Sequence, residues 1–326
     1  MPAHPDSLLF QPLTVRNRTL RNRIVMPPMV SVRDITKPDG IEWYERHAAG
    51  GPGLVIIEAT GVPRFGDDIR PETLRTVVDA IHRGGALAAI QLFPIKFGLN
   101  PSVADTTKAD IRRIIKEYKT AVEICLEAGM DGVEPHGAHG YLLNRFFSPA
   151  DNLRTDNYSA TSLENRMRFG LEIVRAVRKT AGDRMLVLYR HTPVKDDSYG
   201  IEDSVAFARE LIKAGVDILD VSPSSKDAPG DQAAPFVGLG AAVITVWCLD
   251  EPGRAAEALG EKRADLVAIG RALIADPDWP EKVRTGKRDT IVRCTRCNLE
   301  CFGNLKKGTP ISCTQWGKSG GKAVGG

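Results

Sequence analysis

"GVEPHGAHGYLLNRFF", Gly132–Phe147, opens as a short apolar run closed by glycine and then sets two histidines and a tyrosine within six residues. It follows a segment of helical periodicity, Asp110–Ala128, and it is one of eight runs of its kind. The others are "RIVMPP", "GLVIIEAT", "LAAIQLF", "MLVLYRH", "DILDVSP", "AVITVW" and "DLVAIGR", each bounded by Gly, Pro, Asp or Ser. Helical patterns at Leu163–Ala181, Glu202–Ala214 and Pro252–Leu259 separate several of them. Strand alternating with helix implies a parallel sheet, and eight repeats over about 270 residues imply closure into an α/β (β/α)8 TIM barrel. An open doubly wound sheet is the alternative. It carries a Gly-rich turn after its first strand, where this chain reads "PPMVSVRD".

In a barrel of this kind the active site lies at the C-terminal ends of the strands. Those ends hold Glu58 and Thr60, Gln91, His136, Arg190 and His191, Ser222, and Gly270 with Arg271. Gln91 and Arg190 are costly to place in a barrel mouth without polar partners, so a large polar ligand is expected there.

Composition narrows the classes. The 326 residues are 42% hydrophobic, and the formal charge of +3 comes from basic residues interleaved with acidic ones, which argues against nucleic-acid binding. No run approaches the roughly 20 apolar residues that span a bilayer and no secretion signal is recognised, so a cytoplasmic protein is expected, with no membrane partner. Four of the six cysteines, Cys294, Cys297, Cys301 and Cys313, lie in the last tenth of the chain with spacing C-x2-C-x3-C-x11-C. In this context they favour metal or redox chemistry over disulfides, and spacing alone leaves zinc and a [4Fe-4S] cluster level. The closing "GKSGGKAVGG" reads as a flexible tail.

Five stretches together resemble the old yellow enzyme family of FMN-dependent oxidoreductases: "LLFQPLTVRNRTLRNRIVMPPM", "ERHAAGGPGLVIIEATGV", "DGVEPHGAHGYLLNRFFSPADNLRTDNYS", "SLENRMRFGLEIVRAVR" and "ADLVAIGRALIADPDW". The resemblance covers roughly residues 8 to 285, and the cysteines resemble the [4Fe-4S] site of the branch that includes 2,4-dienoyl-CoA reductase and trimethylamine dehydrogenase. It implies three segments: a flavin barrel over 1–288, a cluster extension over 289–318 and the tail 319–326. It implies that His136 and His139 hold a substrate carbonyl oxygen and that Tyr141 supplies a proton. Two imidazole N–H groups suit the charge that develops on that oxygen, and a phenol suits protonation of the adjacent carbon.

For the cofactor the resemblance implies FMN, with Pro28, Met29 and Gln91 at the isoalloxazine ring, Arg190 beside its N1–O2 edge, and Gly270 and Arg271 at the phosphate. It assigns Cys294, Cys297, Cys301 and Cys313 to the cluster, with Arg293, Arg296, Lys306 and Lys307 offsetting its charge or facing an acidic partner. The expected activity is hydride transfer to an activated C=C of a carbonyl compound, with NAD(P)H as direct or indirect donor. A separate reductase or ferredoxin-like carrier and a homo-oligomer are the expected partners besides the small-molecule substrate.

Four positions depart from the family pattern. Trp247 and Cys248 stand where a Gly-Gly usually follows the seventh strand, so the indole is expected to narrow the phosphate site. Pro94 replaces an imidazole in "QLFPIKFG", and the loop from Lys96 to Thr107 is short. Met29 and Val30 stand where a Cys or Thr is common. The histidine that dienoyl-CoA reductase carries after strand six is missing from "SPSSKDAPGDQ", and His191 reads either as its substitute or as a core residue. Two alternatives follow: a flavin-free barrel serving electron transfer or redox-neutral acid–base chemistry, and an amine dehydrogenase using an aromatic cage from Trp43, Tyr44, Phe65, Tyr189 and Trp247.

Overall fold

Side chains alternate along a strand, and in this chain the alternation sorts the eight apolar runs into two sets facing opposite ways. A computed structural model describes residues 5–223 and 230–317. The runs form β1 (Ile24–Met26), β2 (Leu54–Gly61), β3 (Leu87–Phe93), β4 (Gly132–Gly137), β5 (Leu186–His191), β6 (Ile218–Val221), β7 (Ala242–Thr245) and β8 (Leu266–Ala268). Each pairs in parallel with the next, and β8 closes onto β1 through Val267↔Ile24, giving the (β/α)8 barrel. One set, including Val25, Ile56, Ala89, Leu188, Ile218 and Ile244, fills the barrel. The other, including Ile24, Val55, Ile90, Val133, Val187 and Leu219, packs outward as part of the main core shared with the helices.

The inner set continues into polar residues by steps of two. Gln91 follows Ala89, Glu134 follows Gly132, Arg190 follows Leu188 and Asp220 follows Ile218. Register brings these together, because Gln91 lies opposite Glu134, and Arg190 lies between His136 and Asp220. An apolar barrel floor therefore carries a polar layer just below its C-terminal rim.

The longer helices are α1 (Pro38–Ala49), α2 (Pro71–Arg83), α3 (Lys108–Glu127), α5 (Leu163–Ala181), α6 (Ile201–Ala214) and α7 (Pro252–Gly260), and the expected helical segments fall within one or two residues of four of them. Thr107 caps α3 by accepting from the Asp110 N–H, and Ser162 caps α5 in the same way from Asn165. Short helices α4 (Leu142–Phe147), α8 (Arg271–Ala275), α9 (Trp279–Arg284) and α10 (Phe302–Lys307) sit after β4, after β8 and in the cysteine segment. A two-stranded hairpin, Leu13–Val15 with Arg18–Leu20, covers the N-terminal end of the barrel, and Leu20 packs with the inner set.

The cysteine segment crosses the opposite end. The Ile311 N–H donates to Ser31 O at 3.0 Å, Arg33 donates to Ile311 O at 3.1 Å, and the Trp316 indole donates to Ile274 O at 2.9 Å. It thereby ties the loop after β1 to α8. Among the described residues no helix is long and apolar enough to cross a membrane. The expected tail 319–326 lies outside the described residues, as do residues 224–229 of the loop after β6.

On the hairpin side, His82 Nε2 lies 2.7 Å from Asp131 Oδ2, and Asp131 also accepts from the Ala88 N–H. Hydrogen bonding to this carboxylate, outweighing partial burial, raises the His82 pKa above its ordinary 6.5. A raised pKa in the folded state adds stability that is complete below about pH 6.5 and is lost as pH rises through the raised value. Urea midpoints should fall across that window in the native chain, and His82→Gln should remove this component of the slope.

Candidate active site

At the C-terminal ends of the strands a cavity of about 720 Å³ opens beneath the cysteine segment. Pro28, Met29, Gln91, His136, His139, Tyr141, Arg190, Gly270 and Arg271 all line it, so the residues assigned from sequence to substrate and flavin share one space. Among the described residues its charged lining groups are Arg190, Arg271 and Lys306, with no carboxylate. Other strand-end residues serve elsewhere. Glu58 accepts from the Ser31 backbone at 2.7 Å and the Ser31 hydroxyl at 2.5 Å, with a register shift between Ile57 and Thr60 beside it, and so anchors the loop after β1. Thr60 donates to Glu58 O. His191 is boxed by Phe147, Tyr199 and Phe207, with Nε2 2.9 Å from Ser204 Oγ, and burial lowers its pKa to about 3. It is a core residue.

The opening motif folds tightly. A Cβ at Gly137 would come within 2.1 Å of the Tyr189 hydroxyl, so only glycine lets β4 end here. His139 then takes a left-handed backbone, φ +59°, held by its N–H donating to Thr192 Oγ1 at 2.9 Å. That turn brings His139 Nδ1 to 3.4 Å from His136 Nε2. On the far sides, the Ala138 N–H donates to His136 Nδ1 at 3.4 Å, and His139 Nε2 lies 2.9 Å from Ser222 Oγ. The Tyr141 ring sits edge-on to His136 at 5.3 Å and to Phe93 at 5.0 Å. Burial, reinforced by the Arg190 charge, lowers the His136 pKa to about 3 and holds His139 well below its ordinary value. Both imidazoles are neutral at working pH.

Beneath them lies the polar layer, including two residues that sequence reasoning missed, Glu134 and Asp220. Gln91 Nε2 donates to Glu134 Oε1 at 2.7 Å, Arg190 Nη1 lies 3.4 Å from Asp220 Oδ2, and Arg190 Nη2 donates to Ser222 Oγ at 3.0 Å. Neither acid has measurable exposure. Burial, with the charge of Asp220 beside it, pushes the Glu134 carboxyl well up, and burial raises Asp220 against the pull of Arg190. One proton on Glu134, donated to Asp220, explains carboxyl oxygens that otherwise have no donor. Buried Arg190 Nε also has no hydrogen-bond partner within the protein. A signal was present in the sequence, since Glu134 and Asp220 share strand parity with Gln91 and Arg190.

A second cavity of about 410 Å³ adjoins the first, sharing His139, Val246, Gly270, Arg271 and Phe302 with it. Trp247 and Cys248 are in its wall, and this volume remains open beside the indole. Cys248 adopts φ +46°, the left-handed conformation that glycine usually supplies. Of the five aromatics considered for a cation cage, Trp247 alone lines either of these cavities, while Trp43, Tyr44, Phe65 and Tyr189 are buried in the core. The four late cysteines are free thiols lining one small cavity together with Arg271 and Asn298. Among the described residues no three His, Cys, Asp or Glu side chains form a group that could hold a single metal ion.

A closed (β/α)8 barrel whose C-terminal mouth holds a large cavity with buried amide and guanidinium groups is an enzyme architecture with a seat for a polar ligand. Residues 8–105 and 98–290 match the NADH:flavin oxidoreductase / NADH oxidase family, and the chain belongs to it. It is thus an oxidoreductase of a flavin-using family. An NADH oxidase of Thermoanaerobacter brockii is 32% identical over 352 residues, covering 90% of this chain and 53% of that protein. An NADPH dehydrogenase of Geobacillus thermodenitrificans is 34% identical over 317 residues, covering 84% of this chain and 93% of that one. The solved 2-naphthoyl-CoA reductase complex superimposes with TM-score 0.85 at 24% identity, over 95% of this chain and 57% of that one, and shows the fold. The chain thus spans little more than half the length of the first and third of these proteins.

If Glu134 carries the shared proton, Glu134→Gln supplies the same donor and acceptor and should leave the thermal midpoint nearly unchanged. Asp220→Ala leaves Arg190 without its buried partner and should cost about 3–5 kcal/mol in chemical denaturation.

Proposed function

We propose that the chain is an FMN-dependent oxidoreductase of the ene-reductase type, with a [4Fe-4S] cluster on Cys294, Cys297, Cys301 and Cys313. The observation that carries the reading is the pair of neutral imidazoles, 3.4 Å apart at His136 Nε2 and His139 Nδ1, lining the same cavity as Tyr141, Gln91 and Arg190. The seat fits FMN on this structure's own terms. Among the described residues the buried Arg190 Nε–H has no partner and the lining holds no carboxylate, and the first cavity runs on to a second that has room for a ribityl phosphate. Pro28, Met29 and Gln91 would hold the ring, Arg190 its polar edge, and Gly270 and Arg271 the phosphate.

Reduced FMN, when bound, supplies a hydride for the β-carbon of a C=C conjugated to a carbonyl. The protein's part is hydrogen bonding and proton supply. Arg190 donates to Ser222 Oγ, and we assign the Ser222 hydroxyl proton to His139 Nε2, which puts the His139 proton on Nδ1. The Ala138 N–H on His136 Nδ1 likewise leaves that ring's proton on Nε2. Two N–H donors then face one another across a gap that one carbonyl oxygen satisfies, and they stabilise the negative charge it acquires as the hydride arrives. The Tyr141 hydroxyl gives its proton to the α-carbon, completing addition of one hydride and one proton across the double bond. Relatives named NADPH dehydrogenase and NADH oxidase support a nicotinamide donor.

For the cluster, four thiols share one cavity, and the Arg296 N–H donates to Cys294 Sγ at 3.4 Å, the kind of amide contact that stabilises cluster-bound sulfur. Two longer relatives match 90% and 97% of the chain, against 84% for a shorter one that is matched over 93% of its own length. Carbonyl recognition is favoured over amine recognition because the five candidate aromatics do not assemble into a cage.

Replacing both His136 and His139 by Ala should lower turnover of a cyclic enone by about 10²–10³ or more with flavin content unchanged, and Tyr141→Phe should slow the oxidative half-reaction by about 10²-fold or more. Enone-analogue binding should be nearly flat from pH 6.5 to 8, since burial and the Arg190 charge hold both histidines below their ordinary value of 6.5, His136 at about 3. Undiminished turnover in the double variant contradicts the reading.

A further inference from the structure

We infer that Arg296, carried by the cysteine segment, is a second guanidinium for the phosphate of the bound flavin, paired until then with Asp250. This rests on the FMN reading above. The second cavity holds the space beside Gly270 and Arg271, and its charged lining groups are Arg271, Arg296 and Asp250. Arg296 Nη2 donates to Asp250 Oδ1 at 2.8 Å, and Arg271 Nη1 donates to Asn298 Oδ1 at 3.1 Å, so the cysteine segment contacts or contributes both cations. Arg296 and Cys248, which both line this cavity, have left-handed backbones, φ +57° and +46°.

Arg296 lines the cavity beside Arg271, where Cys294 is the one of the four late cysteines that also lines the wall. Thr295, Cys297 and Asn298 line the cysteine cavity and Arg296 does not. Beside any effect on the cluster charge, this position puts the guanidinium at the neighbouring anion site. A phosphomonoester carries a charge of about −1.5 to −2 at neutral pH, more than Arg271 alone balances. A guanidinium also offers two parallel donors to phosphate oxygens. Asp250 sets a cost, because its carboxylate both competes for Arg296 and repels the incoming anion. Trp247, which replaces a small residue on the strand side, leaves the opposite wall to supply this cation.

The test compares FMN with riboflavin, which has the same ring and ribityl chain and no phosphate. Bound flavin is removed by anaerobic dialysis, and each ligand is titrated by fluorescence quenching into the native chain and into Arg296→Gln, Asp250→Asn and Arg293→Gln. Arg293 pairs with Glu251 outside both cavities and serves as the charge control. Arg296→Gln should weaken FMN about tenfold or more with riboflavin unchanged, Asp250→Asn should tighten FMN alone, and Arg293→Gln should change neither. Native-like FMN affinity in Arg296→Gln, or equal weakening of both flavins, overturns the inference while leaving the flavin reading intact. Failure of the native chain to take up FMN overturns both.

Discussion

Arg190 is the charge on which the mouth of this barrel is organised. It sits at the end of β5 with His136 on one neighbouring strand and Asp220 on the other, and three of the structure's less usual features answer to it. The guanidinium opposes the upward push of burial on Asp220; burial, with Asp220 beside it, pushes the Glu134 carboxyl well up against the pull of the same guanidinium; and the two imidazoles above are lowered by burial and by that cation. Ser222 links the guanidinium to His139. The result is a rim whose donors face outward to a ligand while the acids are turned down into the barrel.

Period-two alternation explains why the architecture could be read from sequence. Eight apolar runs were visible as runs, and four helical segments had the periodicity that α3, α5, α6 and α7 show. The strand ends named the cavity wall well: Gln91, His136, Arg190, Gly270 and Arg271 all line it. Glu134 and Asp220 lie two residues before His136 and Ser222, one step of the same alternation further into the barrel, where a sequence gives no sign that a charged side chain is buried. Glu58, Thr60 and His191 read as mouth residues on the same logic and are not, because a register shift in β2 and an aromatic box behind β5 redirect them. Such redirection depends on contacts with Ser31, Tyr44 and Phe207, distant in sequence, and no local pattern encodes it.

The region after β7 shows how a substitution can change composition and keep geometry. A tryptophan and a cysteine where small residues are usual suggested a blocked site, yet Cys248 adopts the backbone of a glycine and Trp247 stands in the wall of an open cavity. The cysteine segment forms the other walls. Through Ile311–Ser31 it is joined to the loop after β1, and through Arg271–Asn298 and Trp316–Ile274 to α8, so cavity and thiols are built as one unit.

The central claim, that this mouth is a flavin seat with an adjoining iron–sulfur site, is tested most directly by the absorption spectrum of anaerobically purified protein with flavin, iron and sulfide quantified, before and after FMN is added. The account predicts one FMN per chain together with about four irons and four sulfides. A protein that carries no flavin and takes up none when FMN is supplied would contradict it.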